Sequence, residues 1–376
     1  MMRSYLDYNA TAPLRQSAKR AMTSLLGRPL NPSSVHSEGR EGRKAIEAAR
    51  RHVAELVKCD PKAVTFTSGG TEANNTVLCP HLQAGATPQE FDILFVSDIE
   101  HPCVLAGGRF ASSAIRTLPV RRDGVLDLED IQKRLDEADR PFVSVMLANN
   151  ETGVTQPIAD LAKIVRERDG FLHTDAVQAA GKIPIDMASL DVDALTLSAH
   201  KIGGPQGAGA LITRNAGLRF TPLLKGGGQE MGLRAGTENV AAIAGFGAAA
   251  HDAFLELRAV SERLYGLRER AETGLRSLSN EIVIFGDGSP RLPNTINFSL
   301  PGKRAETAII AFDMAGIAVS SGSACSSGKV GPSHVLRAMG VPDSLAEGAI
   351  RVSMGPETED EDVDRLLAQT ARILGR

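Results

Sequence analysis

Six apolar runs constrain this chain more than anything else in it: AVTFTS from Ala63, FDILFVS from Phe91, FVSVMLANN from Phe142, GFLHTDA from Gly170, DALTLSAH from Asp193 and GALITR from Gly209. Each is short and is separated from the next by turn residues or a helical pattern, which is how strands buried on both faces read. Such strands form a mostly parallel sheet covered by helices, so the expected class is α/β. Ser37 to Lys58 predicts one covering helix, with Ile46, Ala49, Val53, Leu56 and Val57 on a single stripe. A glycine-rich connection, KGGGQEMGLRAGTEN from Lys225, ends the series, and an Ala-rich helical stretch opens at Asn239. The pattern changes from about Glu281, where IVIFG, TINFSL, the helical AETAIIAFDMAG, the strand IRVSMG and a terminal helix predict a separate, smaller α+β unit.

The 376 residues, 42% hydrophobic and 23% charged with a formal net charge of -3, leave room for a large core and hold no basic block for nucleic acid or an anionic membrane. A small-molecule substrate or a protein partner is the expectation. The opening MMRSYLDYNATAPL lacks the apolar core of a signal peptide, and no run approaches ~18 consecutive apolar residues, so a cytoplasmic location is expected. Cys59, Cys79, Cys103 and Cys325 are scattered without a CxxC pair, which argues against disulfides and a permanent metal site. Three of them read as structural. The fourth lies in SSGSACSSGKVG, where serine and glycine give Cys325 nothing apolar to pack against, the setting of a reactive thiol on a flexible loop.

Three segments carry chemistry. TLSAHKIGGPQG sets Lys201 just past an apolar strand, after Ser198 and His200; a solvated charge is the common reading, and a lysine that forms a Schiff base with a carbonyl cofactor is the other. HTDAVQAAGK puts Asp175 at a strand's carboxyl end with Gln178 three residues on. Asp175 reads equally as a helix N-cap or as the partner of a protonated ring nitrogen in the ligand crevice. FTSGGTEANN places Gly69, Gly70 and Thr71 between a strand and a helix, where free N–H groups and the helix dipole bind phosphate. Aldehyde, ring nitrogen and phosphate together match pyridoxal 5'-phosphate.

With these motifs in place, the chain strongly resembles the NifS/IscS-like cysteine desulfurases, class V members of the fold type I pyridoxal phosphate enzymes. The resemblance runs almost end to end, from YLDYNATAPL through NPSSVHSEGR, FTSGGTEANN, EHPCVL, ANNETGV, HTDAVQAAGK, SAHK, RAGTEN and SSGSACSSG to IRVSMG. It implies a large cofactor-binding unit over 16–255 and a small unit made of 1–15 and 256–376 that carries the cysteine loop. Lys201 would be the Schiff-base lysine, Asp175 the ring-nitrogen partner and Gln178 a hydrogen bond to the ring hydroxyl. Gly70, Thr71, Ser198 and His200 would hold the phosphate, His101 would stack on the ring and move protons, and Asn150 would lie near cofactor and substrate. Arg351 would bind the substrate carboxylate, and Thr237 would reach the phosphate of the other subunit in a homodimer. Cys325 would take sulfur from L-cysteine, as a persulfide, and deliver it to an acceptor such as an iron-sulfur scaffold protein. Met231 departs from the family pattern, in which arginine often follows QE. A selenocysteine lyase or another class V lyase is the second reading, and a non-catalytic sulfur carrier or redox sensor is the reading from another class.

Overall fold

The computed structural model describes residues 3–321 and 333–376. Its main sheet has seven strands: β1 (Val64–Thr67), β2 (Leu94–Ser97), β3 (Ile115–Leu118), β4 (Phe142–Ser144), β5 (Phe171–Asp175), β6 (Ala194–Ser198) and β7 (Gly209–Thr213). They lie in the order β1-β7-β6-β5-β4-β2-β3. Only β7 runs against its neighbours, and the other pairs are parallel. The six apolar runs are six of these strands. The seventh, β3, was not legible because it is an edge strand whose Arg116 and Thr117 are exposed. The antiparallel trio 81–84, 87–90 and 218–220 was missed for a similar reason: HLQA and TPQE contain no apolar run.

Side chains alternate across the main sheet as strand geometry requires. Phe95, Val143, Leu172, Leu195 and Ala210 enter one core, and Leu94, Phe142, Phe171, Ala194 and Leu211 enter another on the opposite face. In the second of these, Phe142 stacks on Phe171 at 4.6 Å and takes the edge of Phe91 at 5.4 Å between centroids, contacts worth ~1 kcal/mol each beyond area burial. The first face is covered by α1 (Ser37–Val57), which buries the predicted stripe and stops at Lys58 in a left-handed conformation, φ 53°.

A second, fully antiparallel sheet consists of β8 (Val283–Ile284), β9 (Thr295–Ser299), β10 (Ser320–Ser321) and β11 (Ala349–Ser353), in the order β8-β9-β11-β10. Its core contains Phe298, Phe312, Ile350, Val352, Val363 and, from the other end of the sequence, Leu6. Ser4 and Tyr5 pair with Ile317 and Ala318, and Asp7 bridges to Ser353. A 39-residue helix, Val240–Leu278, runs through both regions, giving Val240 to Ala253 to the main core and Leu264 to Leu275 to the second. Among the described residues this is the one helix long and apolar enough to cross a membrane, and its apolar side is spent on those two cores.

Candidate active site

Register brings the carboxyl ends of the parallel strands into line. Thr67 of β1 and Ser198 of β6 both face Gly209 of the intervening β7, and Asp175 of β5 faces Thr196 of β6. Ligands of open α/β sheets sit beyond this edge. A cavity of about 360 Å³ opens there, lined by Gly70, Thr71, His101, Asn150, Asp175, Gln178, Ser198, His200 and Lys201. These nine predicted residues span 132 positions of sequence and meet in one place. Packing is close where the helix Gly70–Val77 starts beside β7: a Cβ on Gly209 would lie 2.6 Å from the Gly69 Cα, and one on Gly70 would lie 3.0 Å from Val177 Cγ2. The start of this helix, Gly70 and Thr71, lines the cavity at this end beside Ser198 and His200.

Asp175 is 6% exposed. Its Oδ2 accepts a 2.7 Å hydrogen bond from Asn74 Nδ2 and its Oδ1 one of 2.9 Å from the Val177 N–H. Burial pushes its pKa up, and those two donors oppose the shift. His101 caps the turn Pro102–Leu105, its Nδ1 accepting from the Cys103 N–H at 3.3 Å. The backbone amide can only donate, so neutral His101 carries its proton on Nε2. Burial lowers its pKa and favours that neutral form. His200 is pushed down to about 4, first by burial and then by Lys201.

Lys201 follows β6 by one turn and donates from Nζ to the carbonyls of Asn9 at 2.6 Å and Ala10 at 2.8 Å. Asn9, 1% exposed, is the hub of this wall. Its Nδ2 donates to Asn150 O and Thr295 Oγ1, while its Oδ1 accepts from Lys182 Nζ at 3.0 Å and Asn294 Nδ2 at 3.2 Å. Lys182 also donates to Gln178 Oε1 at 2.8 Å, which leaves the Gln178 amide nitrogen as the donor, one hydrogen going to Asn9 O. Burial, then Lys201 and Arg351, hold Lys182 well below an ordinary lysine pKa.

Several expectations change. Cys103, expected to be structural, lines the cavity: its thiol lies 3.0 Å from His101 Nδ1 and 3.3 Å from Asn74 Nδ2, and burial raises it to about 11. Cys59 and Cys79 do pack as small hydrophobes. Arg351 does not line the cavity. It is buried on β11, where it pairs with Asp7 at 2.8 Å. Thr237 is exposed and lies outside this chain's cavity, three residues beyond Arg234, whose 3.0 Å ion pair with Glu72 ties RAGTEN to the helix Gly70–Val77. Cys325 falls outside the described residues. Asn9, Asn74 and Lys182 were not singled out from the sequence, although the segments quoted around them contain all three.

The chain belongs to the class V aminotransferase family, whose profile matches residues 4–366. Its relatives narrow this to the NifS/IscS-like cysteine desulfurases. It is 43% identical over 98% of its length to cysteine desulfurase IscS of Dictyoglomus turgidum, covering 94% of that protein. It is 38% identical over 99% of its length to cysteine desulfurase NifS of Azotobacter vinelandii, covering 92% of that one. The structure of a NifS-like protein from Rickettsia africae superposes over the whole of both chains with a TM-score of 0.90 and 35% identity.

Proposed function

We propose that the protein is a pyridoxal 5'-phosphate-dependent cysteine desulfurase that supplies sulfur for iron-sulfur cluster assembly. Overall, L-cysteine and the Cys325 thiol become L-alanine and a Cys325 persulfide, the substrate's Cβ–S bond giving way to a new S–S bond. The observation that carries the reading is Asp175, a buried carboxylate that lines the same cavity as Lys201 and the helix start at Gly70 and Thr71.

The residues fit the cofactor. A carboxylate whose ionisation is opposed by burial is relieved by a protonated ring nitrogen, and Asn74 and Val177 hold it in place to receive one. The glycine-lined turn, Thr71 and Ser198 suit a phosphate, with His200 kept neutral and able to donate to it. Lys201 would hold the cofactor covalently and Gln178 would donate to its ring oxygen, the amide held by Lys182. When bound, pyridoxal phosphate supplies an electron sink that makes the substrate's α-proton removable and its sulfur a leaving group. The chain's own groups then handle protons. Lys201, released on substrate binding, is placed to take the α-proton, and neutral His101 can donate a hydrogen bond from Nε2 to the reacting groups.

The reading extends to a cytoplasmic homodimer in which Thr237, exposed here, completes the partner's phosphate site. It divides the chain into a large unit, 16–255, and a small unit, 1–15 with 256–376, and it makes Arg351 the ligand of the substrate carboxylate. Borohydride reduction of the purified protein followed by peptide mass spectrometry should find the cofactor on Lys201, and Lys201→Ala should yield no alanine from cysteine. Cofactor trapped on another lysine, or turnover without Lys201, would exclude the mechanism. A protein that binds cofactor yet never forms alanine would be the sulfur carrier rather than the enzyme.

A further inference from the structure

Arg351 presents an unresolved competition. Its side chain is 1% exposed, its Nη1 donates to Asn150 O at 3.2 Å, and its Nη2 is engaged by Asp7 Oδ1 at 2.8 Å. Asn150 lines the cavity, so the guanidinium stands one residue behind the cavity wall. Its Nε, buried, has no hydrogen-bond partner among the described residues. The other oxygen of Asp7 accepts a 2.7 Å hydrogen bond from Ser320 Oγ.

We infer that Asp7 is a built-in competitor for the substrate carboxylate: it occupies Arg351 until an amino acid displaces it, and it thereby sets which ligands the site retains. The inference rests on the reading that Arg351 binds that carboxylate. Two carboxylates crowding one guanidinium in a buried setting repel each other, so ligand and Asp7 compete for it. Ser320 gives the displaced Asp7 a hydrogen bond to keep, so the carboxylate can yield Arg351 without losing every partner. An incoming amino acid gains only the difference between its own contact with Arg351 and the one it breaks. An amine without a carboxylate neither gains nor loses there. The same discount applies to alanine, the product, which carries the same carboxylate and would otherwise be held as tightly as the substrate.

The test uses the cofactor-loaded enzyme, titrated with L-alanine and with ethylamine, which is alanine without its carboxylate, and reads the bound cofactor's absorbance. Asp7→Asn should bind alanine about tenfold more tightly and ethylamine unchanged, while Arg351→Gln should bind alanine no better than ethylamine. Alanine binding that is unchanged or weaker in Asp7→Asn, with the Arg351→Gln loss intact, would overturn the inference and leave the reading of Arg351 standing. Unchanged alanine affinity in Arg351→Gln would overturn both. Should Asp7→Asn not fold, the wild-type structure with alanine bound decides. The Asp7–Arg351 contact should open beyond about 4 Å while the Ser320 contact persists, and an intact 2.8 Å contact beside bound alanine would refute the competition.

Discussion

Two regions build the cavity by opposite means. The carboxyl ends of β1, β5 and β6 contribute Thr71, Asp175, Ser198 and Lys201, each within a few residues of the apolar strand that positions it. The segment Asp7 to Thr11 has no strand of its own beyond a bridge, and it is fixed by bonds to residues up to 344 positions away. The first region owes its geometry to a sheet that would exist without it. The second is shaped almost entirely by what it touches, so its members hold one another in place.

The comparison breaks most visibly if the strand-end carboxylate is dispensable. Asp175→Ala should lower kcat by ~10³ while leaving the fold intact, since the sheet does not depend on it. Circular dichroism and steady-state alanine formation check this, and a loss of fold with activity would show that the strand-end side chain is also structural. Asn9→Ala should do the reverse, destabilising the protein by roughly 3 to 4 kcal/mol through the buried partners it leaves unpaired. Urea unfolding measures it, and a loss below about 1 kcal/mol would remove Asn9 as the hub.

Burial sharpens the contrast at Glu100, just past β2, where desolvation outweighs the hydrogen bonds from Ser97 and the Met146 N–H and raises the pKa from 4.5 to about 8. The folded state then keeps a proton that the unfolded state has released. Its stabilisation is complete below the unfolded value and is lost as pH rises through about 8. Wild type should lose on the order of 2 kcal/mol more than Glu100→Gln between about pH 6 and about pH 8. Parallel stability curves for the two proteins would contradict this. The smallest effect belongs to Cys103→Ala, which leaves the amide of Cys103 bonded to His101 and should change kcat by less than about twofold. A larger fall would make the thiol part of the proton chemistry.

What could be read from the sequence follows the same division. An apolar run ending in a polar residue is a local signal, and it located Asp175, Ser198, His200 and Lys201 with the sheet that holds them. The glycines before Thr71 were legible because a helix start has local chemistry. Asn9 and Lys182 carry no such mark: an asparagine in a loop and a lysine after a glycine are ordinary until the fold sets them 3.0 Å apart. Arg351 was named through the family resemblance as a carboxylate ligand, but its partner in this chain, Asp7, depends on a pairing 344 residues long. Edge strands with exposed polar faces escaped because their signal is only a turn on either side.

The long reach of Asn9 has a consequence for how the protein is made. Asn9 leaves the ribosome long before Asn294, Thr295 and Ser353, three of the partners that fix it, lying 285, 286 and 344 residues later. Synthesis at ~5–20 residues per second leaves that segment waiting tens of seconds, while the main sheet, complete by Thr213, can already collapse. The wall beside Lys201 is thus among the last parts of the molecule to close, and a ribosome stalled anywhere before Ser353 carries a chain whose cavity wall is not yet fully tied down.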